Sequence, residues 1–217
     1  MKQFDLPLVL RRVKKLTKFW RMPVVTTISR KRNPFMVLIS CLLSLRTRDE
    51  ITDAAFKRLF IFANTPKKLL RVDPKKVEKA IYPVAFYRSK TVRLYGICRS
   101  LVDENEGRVP DTLDKLLKLK GVGRKTANLT LVLGYNKLGI CVDVHVHRIT
   151  NRWGYVNTKS PDETEKVLRG KLPERYWKEI NNLLVSFGQN ICRPQSPYCS
   201  KCNISEYCGQ YGVKSQR

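Results

Sequence analysis

The sequence predicts a nearly all-α fold, and three observations carry that prediction. Apolar residues return at three- and four-residue spacing between charged ones. Prolines and short polar residues stand in front of those runs, where helices begin. Few segments alternate apolar and polar residues with period two. The chain has 217 residues, of which 42% are hydrophobic, enough for the core of one large domain or two small ones. No internal repeat or low-complexity linker interrupts it.

Taken in order, residues 1–33 carry ten basic residues against one acidic residue. Leu10, Val13, Leu16 and Trp20 recur among them at helical spacing, so a basic amphipathic helix is expected, either as a solvated face or in contact with DNA. "NPFMVLISCLLSLRTRDE" places Pro34 at the start of a dense apolar helix. "DEITDAAFKRLFIF", "DPKKVEKAIYPV" and "SKTVRLYGICRSLVDE" each read as one helix, with Asp73 and Ser89 as expected N-caps. "PDTLDKLLKL" reads as a short helix over Pro110–Leu119, with Asp111 as its cap and Asp114 completing a capping-box-like pair. Arg124–Leu133 follows as a helix that includes the strand-like run "LTLVL". "DVHVHRITNRWG" is a further helix headed by Asp143.

The two helices around "KGVG" form a helix–hairpin–helix. Gly121 and Gly123 permit a tight path and the close approach of another molecule. Amides around Gly121, Gly123 and Arg124 at a helix start suit an anion such as a DNA phosphate. The alternatives are an unliganded helical hairpin and a nucleotide P-loop. The second fails, because Arg124 stands where the motif needs a glycine before its lysine.

Lys plus Arg number 43 against 18 Asp plus Glu, a formal charge of +25. That charge points to a polyanion, nucleic acid first, although a ribosomal or membrane-surface protein also fits charge alone. The longest apolar stretch, Phe35 to Leu43, is broken by Ser40 and is too short to span a bilayer. Asp5 and Pro7 stand where a signal peptide would need an apolar run. The expected location is the cytoplasm, with the nucleoid, in a prokaryote, or the nucleus in a eukaryote.

In such a compartment seven cysteines are not expected to form mainly disulfides. Cys192, Cys199, Cys202 and Cys208 have six, two and five residues between them, which marks a metal centre. The spacing favours a [4Fe–4S] cluster over zinc, because only one close Cys-x2-Cys pair is present. Zinc stays open on spacing alone. Cys41, Cys98 and Cys141 sit in apolar helical stretches and read as core residues.

"LKGVGRKTAN", "VDVHVHR" and the 6–2–5 cysteine spacing together resemble the endonuclease III family of helix–hairpin–helix DNA glycosylase/lyases. "PFMVLISCLLSLRTRDE" and "FYRSKTVRLYGICRSLV" resemble it too, its archaeal branch especially. The resemblance runs from about Pro23 to Cys208. It implies a two-lobed α fold, with a six-helix barrel over 27–139 and a discontinuous cluster lobe from 1–26 and 140–217. Damaged double-stranded DNA would lie across the cleft, and the protein would act as a monomer.

The same resemblance implies that Lys125 is a nucleophile and Asp143 an essential acid, eighteen positions apart. It makes Cys192, Cys199, Cys202 and Cys208 the ligands of a [4Fe–4S] cluster. DNA contacts are expected from Ser44, Arg46, Lys120, Gly121, Gly123, Arg124, His145, Arg193 and Lys201, with Arg46 at the position of the family's wedge. Lys120 departs from the family's usual proline. Leu45 and Arg46 depart from its small residue and glutamine, which puts damage preference in question. A cation at the start of a helix is disfavoured by the dipole, so this setting is expected to make a free amine available at Lys125. Its other reading is a surface lysine contacting phosphate. Asp143 can serve as an N-cap and as the carboxylate that stabilises a cationic sugar.

The function expected is a bifunctional glycosylase/abasic-site lyase removing oxidised pyrimidines. The alternatives are a mismatch-specific thymine or uracil glycosylase and a non-catalytic iron–sulfur DNA-binding protein.

Overall fold

In the computed structural model the described residues are 2–20, 23–29 and 33–217. They form helices and turns, with no strand among them. Of the basic N-terminal residues, Arg21, Arg30, Lys31 and Arg32 lie outside the described set. No helix among the described residues is long and apolar enough to cross a membrane. The chain divides into two compact units, Met1–Pro23 with Ile140–Arg217, and Val24–Gly139.

The first unit opens with α1, Leu6–Thr17, capped by Asp5 through a 3.1 Å bond from the Leu8 amide. It buries Val9, Leu10 and Val13 and turns its lysines outward, as the amphipathic spacing requires.

The second unit runs from α2, Val24–Ile28, through α3, Pro34–Ser44, to α4, Asp49–Phe60. Eight of the eleven residues of α3 are buried, so this helix is the unit's core rod. Its start is set by Asn33, which accepts from the Met36 amide at 3.1 Å, and by Pro34 in the first turn. Then come α5, Pro66–Leu70, α6, Pro74–Ile81, and α7, Tyr87–Asn105. The short helices α8, Leu113–Lys118, and α9, Arg124–Leu129, follow, and α9 continues as a π turn over Thr130–Gly134. The run "LTLVL" is therefore helical, as its context predicts.

The caps divide. Asp73 heads α6 and accepts from the Lys75 amide at 2.7 Å. Ser89 is not a cap: α7 begins two residues earlier, at Tyr87, after a left-handed Phe86. Asp111 is not one either. Its carboxylate and carbonyl take Lys137 Nζ at 2.6 and 2.8 Å, and α8 starts beyond it at Leu113.

The first unit resumes with α10, Val144–Trp153, α11, Pro161–Lys171, and α12, Ile180–Asn190. Val9, Leu10, Val13, Val146, Ile149, Leu184 and Phe187 share its core. Helices α11 and α12 are absent from the sequence reading. Ser160, Pro161 and Glu163 are a complete helix-start signal for α11, with Ser160 accepting from the Glu163 amide at 3.2 Å.

Candidate active site and cysteine centre

In the Val24–Gly139 unit the hairpin follows from its glycines. Gly121 has φ +91°, a conformation that side-chain-bearing residues rarely adopt, and a Cβ there would sit 2.5 Å from Arg93 Cδ. Gly123 is different. Its φ of −92° suits any residue, and nothing lies within 4 Å of where a Cβ would be. It leaves the start of α9 open, with no side-chain cap on the helix. Between the glycines Val122 is buried and its amide bonds the Leu119 carbonyl at 2.9 Å, closing the turn.

Lys120 is exposed, and Arg124 and Lys125 are half-buried in the first turn of α9. Lys125 lies close enough to α3 for its charge to oppose the burial that pushes the Cys41 thiol up to about 12. Cys41, Cys98 and Cys141 are all buried, as core residues should be.

One turn beyond Cys41, at the C-terminal end of α3, Ser44 donates its hydroxyl to the Cys41 carbonyl at 2.8 Å. Arg46 is exposed and left-handed, with φ 55°. Its guanidinium carbon lies 5.9 Å from the ring centre of Phe86, which is left-handed too, at φ 57°, and 63% exposed. The sequence reading missed Phe86. An aromatic in front of a helix looks like a core residue until its exposure is seen. Its other missed partner is Lys90, a buried lysine of α7 that donates to Leu43 and Leu45 carbonyls at 2.7 Å each.

In the other unit Asp143 is 6% exposed and caps α10, accepting from the His145 and Val146 amides at 2.9 and 3.0 Å. Those bonds fix where its carboxylate points. His145 is half-buried, its Nδ1 3.1 Å from Arg148 Nη2. Gly188 of α12 lets this ring approach, since a Cβ there would fall 2.4 Å from His145 Nδ1.

Cys192, Cys199, Cys202 and Cys208 line one small cavity of about 20 Å³ with Trp153, Phe187 and Ile204. Among the described residues no three His, Cys, Asp or Glu side chains converge as ligands of a single ion. Burial pushes the Cys202 thiol up to about 12 and that of Cys208 to about 11.

Two arginines of α10, also missed from sequence, brace this loop. Arg148 donates to the Cys192 carbonyl at 2.8 Å. The buried Arg152 donates to the Arg193 and Pro194 carbonyls at 2.6 and 2.7 Å and approaches Cys192 Sγ at 3.4 Å. Arg193 and Lys201 are exposed on the loop, 4.9 and 5.7 Å from the ring centre of Tyr198.

An all-α fold with a glycine hairpin that opens a lysine-bearing helix, an aspartate-capped helix and a four-cysteine loop defines a class. Residues 39–174 match the model of the HhH-GPD superfamily of base excision DNA repair proteins. The chain is 48% identical over 182 residues to endonuclease III of Thermotoga maritima, covering 84% of this chain and 85% of that one. It is 43% identical over 187 residues to the chloroplastic endonuclease III homolog 2 of Arabidopsis thaliana, of whose longer chain it spans 48%. A solved structure of a trapped endonuclease III–DNA covalent intermediate, an estranged-adenine complex, superposes with a TM-score of 0.84 at 32% identity over 94% of both chains. The chain belongs to the endonuclease III family of the HhH-GPD superfamily.

Proposed function

We infer that the protein is a base excision repair DNA glycosylase and abasic-site lyase. The observation that carries this reading is a lysine, Lys125, in the first turn after the hairpin, followed eighteen positions on by Asp143, whose carboxylate is buried and held by two amides, in a chain of this family. A monofunctional mismatch glycosylase leaves Lys125 without a role, and a non-catalytic DNA-binding protein leaves both residues without one.

In the proposed reaction the neutral Lys125 amine attacks C1′ of the damaged nucleotide. The C1′–N bond breaks, its electrons leave with the base, and the base takes up a proton. Asp143 stabilises the positive charge that develops on the sugar. Loss of a proton from nitrogen and opening of the ring give a Schiff base. Removal of a C2′ proton then expels the 3′ phosphate and cuts the strand by β-elimination. The substrates are oxidised pyrimidines, whose lost planarity makes them cheap to unstack. Arg46 and the exposed Phe86 enter the gap, and Lys120, Arg124, Arg193 and Lys201 meet phosphates.

The cysteine loop fits a [4Fe–4S] cluster. All four cysteines line one cavity, and thiolate-only ligation with a single close Cys-x2-Cys pair suits a four-cysteine iron–sulfur cluster better than zinc. Cys192, Cys199, Cys202 and Cys208 would hold it. When bound it would cross-link and shape the loop that carries Arg193 and Lys201.

Incubation of the purified protein with duplex DNA containing a thymine glycol tests the reading. The expected result is released base together with a β-elimination product at the 3′ end. Base release without strand cleavage would favour the mismatch-type, monofunctional alternative. No release of any base from damaged or mismatched duplexes would favour the non-catalytic one.

A further inference from the structure

Lys90 belongs to no step of the reaction above, yet it is 5% exposed in a chain with ample surface for its lysines. It sits in the first turn of α7 and reaches back to the end of α3. There Nζ meets the Leu43 and Leu45 carbonyls at 2.7 Å each and Thr47 Oγ1 at 3.3 Å. An ammonium has three donors and no acceptor, so this set of three acceptors matches it. The carbonyls are the ones that the end of a helix leaves unsatisfied, and a cation is favoured there.

Thr47 ties in the second turn. Its hydroxyl oxygen accepts from the Ala85 amide at 3.2 Å, one residue before Phe86. The Lys90 amide in turn donates to the Phe86 carbonyl at 2.9 Å. Lys90 and Thr47 therefore pin both the turn of Arg46 and the turn of Phe86. Each turn holds a left-handed conformation that its residue disfavours, at φ 55° and 57°. Their exposed side chains help to line an open recess of about 470 Å³, with Leu45, Ser89, Lys90 and Arg93. Disfavoured backbone with exposed tips persists only where its surroundings hold it.

We propose that Lys90, with Thr47, is a positioning residue that locks the Arg46 and Phe86 turns into one preformed wedge for opening the duplex at a lesion. The inference rests on the reading of Arg46 and Phe86 as the residues that enter the gap. A rigid wedge spares the ordering cost that two mobile loops would incur on entering the stack. It matters when the lesion is paired and stacked, and it is idle when the lesion lies in a single strand.

The test compares the ratio of excision from duplex to excision from single-stranded DNA for one lesion. Lys90→Met keeps the stem and removes the ammonium; Thr47→Val keeps the shape and removes the hydroxyl. Arg46→Ala and Phe86→Ala show what loss of the wedge does to the ratio. The expected result is that Lys90→Met and Thr47→Val each lower the ratio about 10- to 100-fold, as misplacement of about 1 Å can. The loss should shrink when the lesion faces an abasic site, where less stacking must be broken.

If Lys90→Met does not fold, Thr47→Val decides. Wedge variants that lower the ratio while Lys90→Met and Thr47→Val leave it unchanged, whatever their melting temperature, would overturn the positioning role alone. Wedge variants that also leave the ratio unchanged would overturn the wedge reading and this inference with it.

Discussion

Asp143 caps a helix and is proposed to act on the sugar, and one pair of substitutions separates the two roles. Its carboxylate caps α10 through the His145 and Val146 amides, and it is assigned to stabilise charge on the sugar. In Asp143→Asn the amide oxygen can accept the same two bonds, and asparagine caps as well as aspartate. What is lost is the charge–dipole interaction, about 0.3–1 kcal/mol, which for a chain of this size lowers Tm by about 1–4 °C. Asp143→Ala removes the acceptor at a position only 6% exposed, so both amides go without it. The cost should lie near the upper end for a cap, about 2 kcal/mol, or roughly 4–8 °C. Activity should not follow Tm. Both variants lose the carboxylate, so both should lower base excision about 10²–10³-fold, the usual effect of removing one preorganised electrostatic partner. Cleavage of a preformed abasic site, which needs no base to leave, should fall less. Thermal melts with excision and abasic-cleavage assays on the same duplex decide it. If Asp143→Asn excises like wild type while Asp143→Ala loses activity, the cap is the whole role of Asp143; equal loss of both steps in Asp143→Asn would contradict a carboxylate that acts chiefly as the base leaves.

Cys202→Ser should lose the brown colour, iron and acid-labile sulfide of anaerobically prepared protein, and should melt earlier because metal binding here is folding free energy; zinc without iron in the wild type would contradict the cluster. As the proposed wedge, Arg46 would present a planar cation with five donors to an orphaned base, so excision should be favoured opposite guanine over adenine. Arg46→Gln should abolish that preference, and a preference that survives the change would remove Arg46 from the explanation. His147, whose ring meets Thr164 Oγ1 at 2.7 Å, is held below its ordinary value of 6.5 by burial, which Glu163 partly opposes. The unfolded chain then binds the proton more readily than the folded one. Stability from this group is complete above pH 6.5 and is lost as pH falls through it. His147→Gln should flatten the decline of Tm on acidification, and an unchanged slope would clear His147.

The parts legible in the sequence are those set by near neighbours. The hairpin, with Lys125 in the first turn after it, and the Asp143 and Asp73 caps lie within short stretches whose local chemistry sets their structure. The parts that escaped depend on distant partners. Lys90 looks like a surface lysine in a helical pattern, because its acceptors lie 43 to 47 positions away. Asp111 looks like a cap, yet Lys137, 26 positions on, takes its carboxylate. Ser89 looks like the start of α7, but the helix begins where Phe86 turns left-handed, in the turn that Thr47 and Lys90 hold. Arg152 reads as one more cation in a basic chain, whereas its guanidinium is committed to the carbonyls of the cysteine loop.

Borohydride trapping on abasic duplex DNA tests the central claim most directly, because reduction turns a Schiff base into a permanent protein–DNA bond. Wild-type protein should give a covalent adduct mapping to Lys125. Lys125→Gln should give none while still binding the abasic duplex, since the phosphate contacts that hold the DNA do not need the nucleophile. An adduct that persists in Lys125→Gln, mapping to Lys120 or the N-terminal amine, would contradict the assignment of Lys125 as the nucleophile.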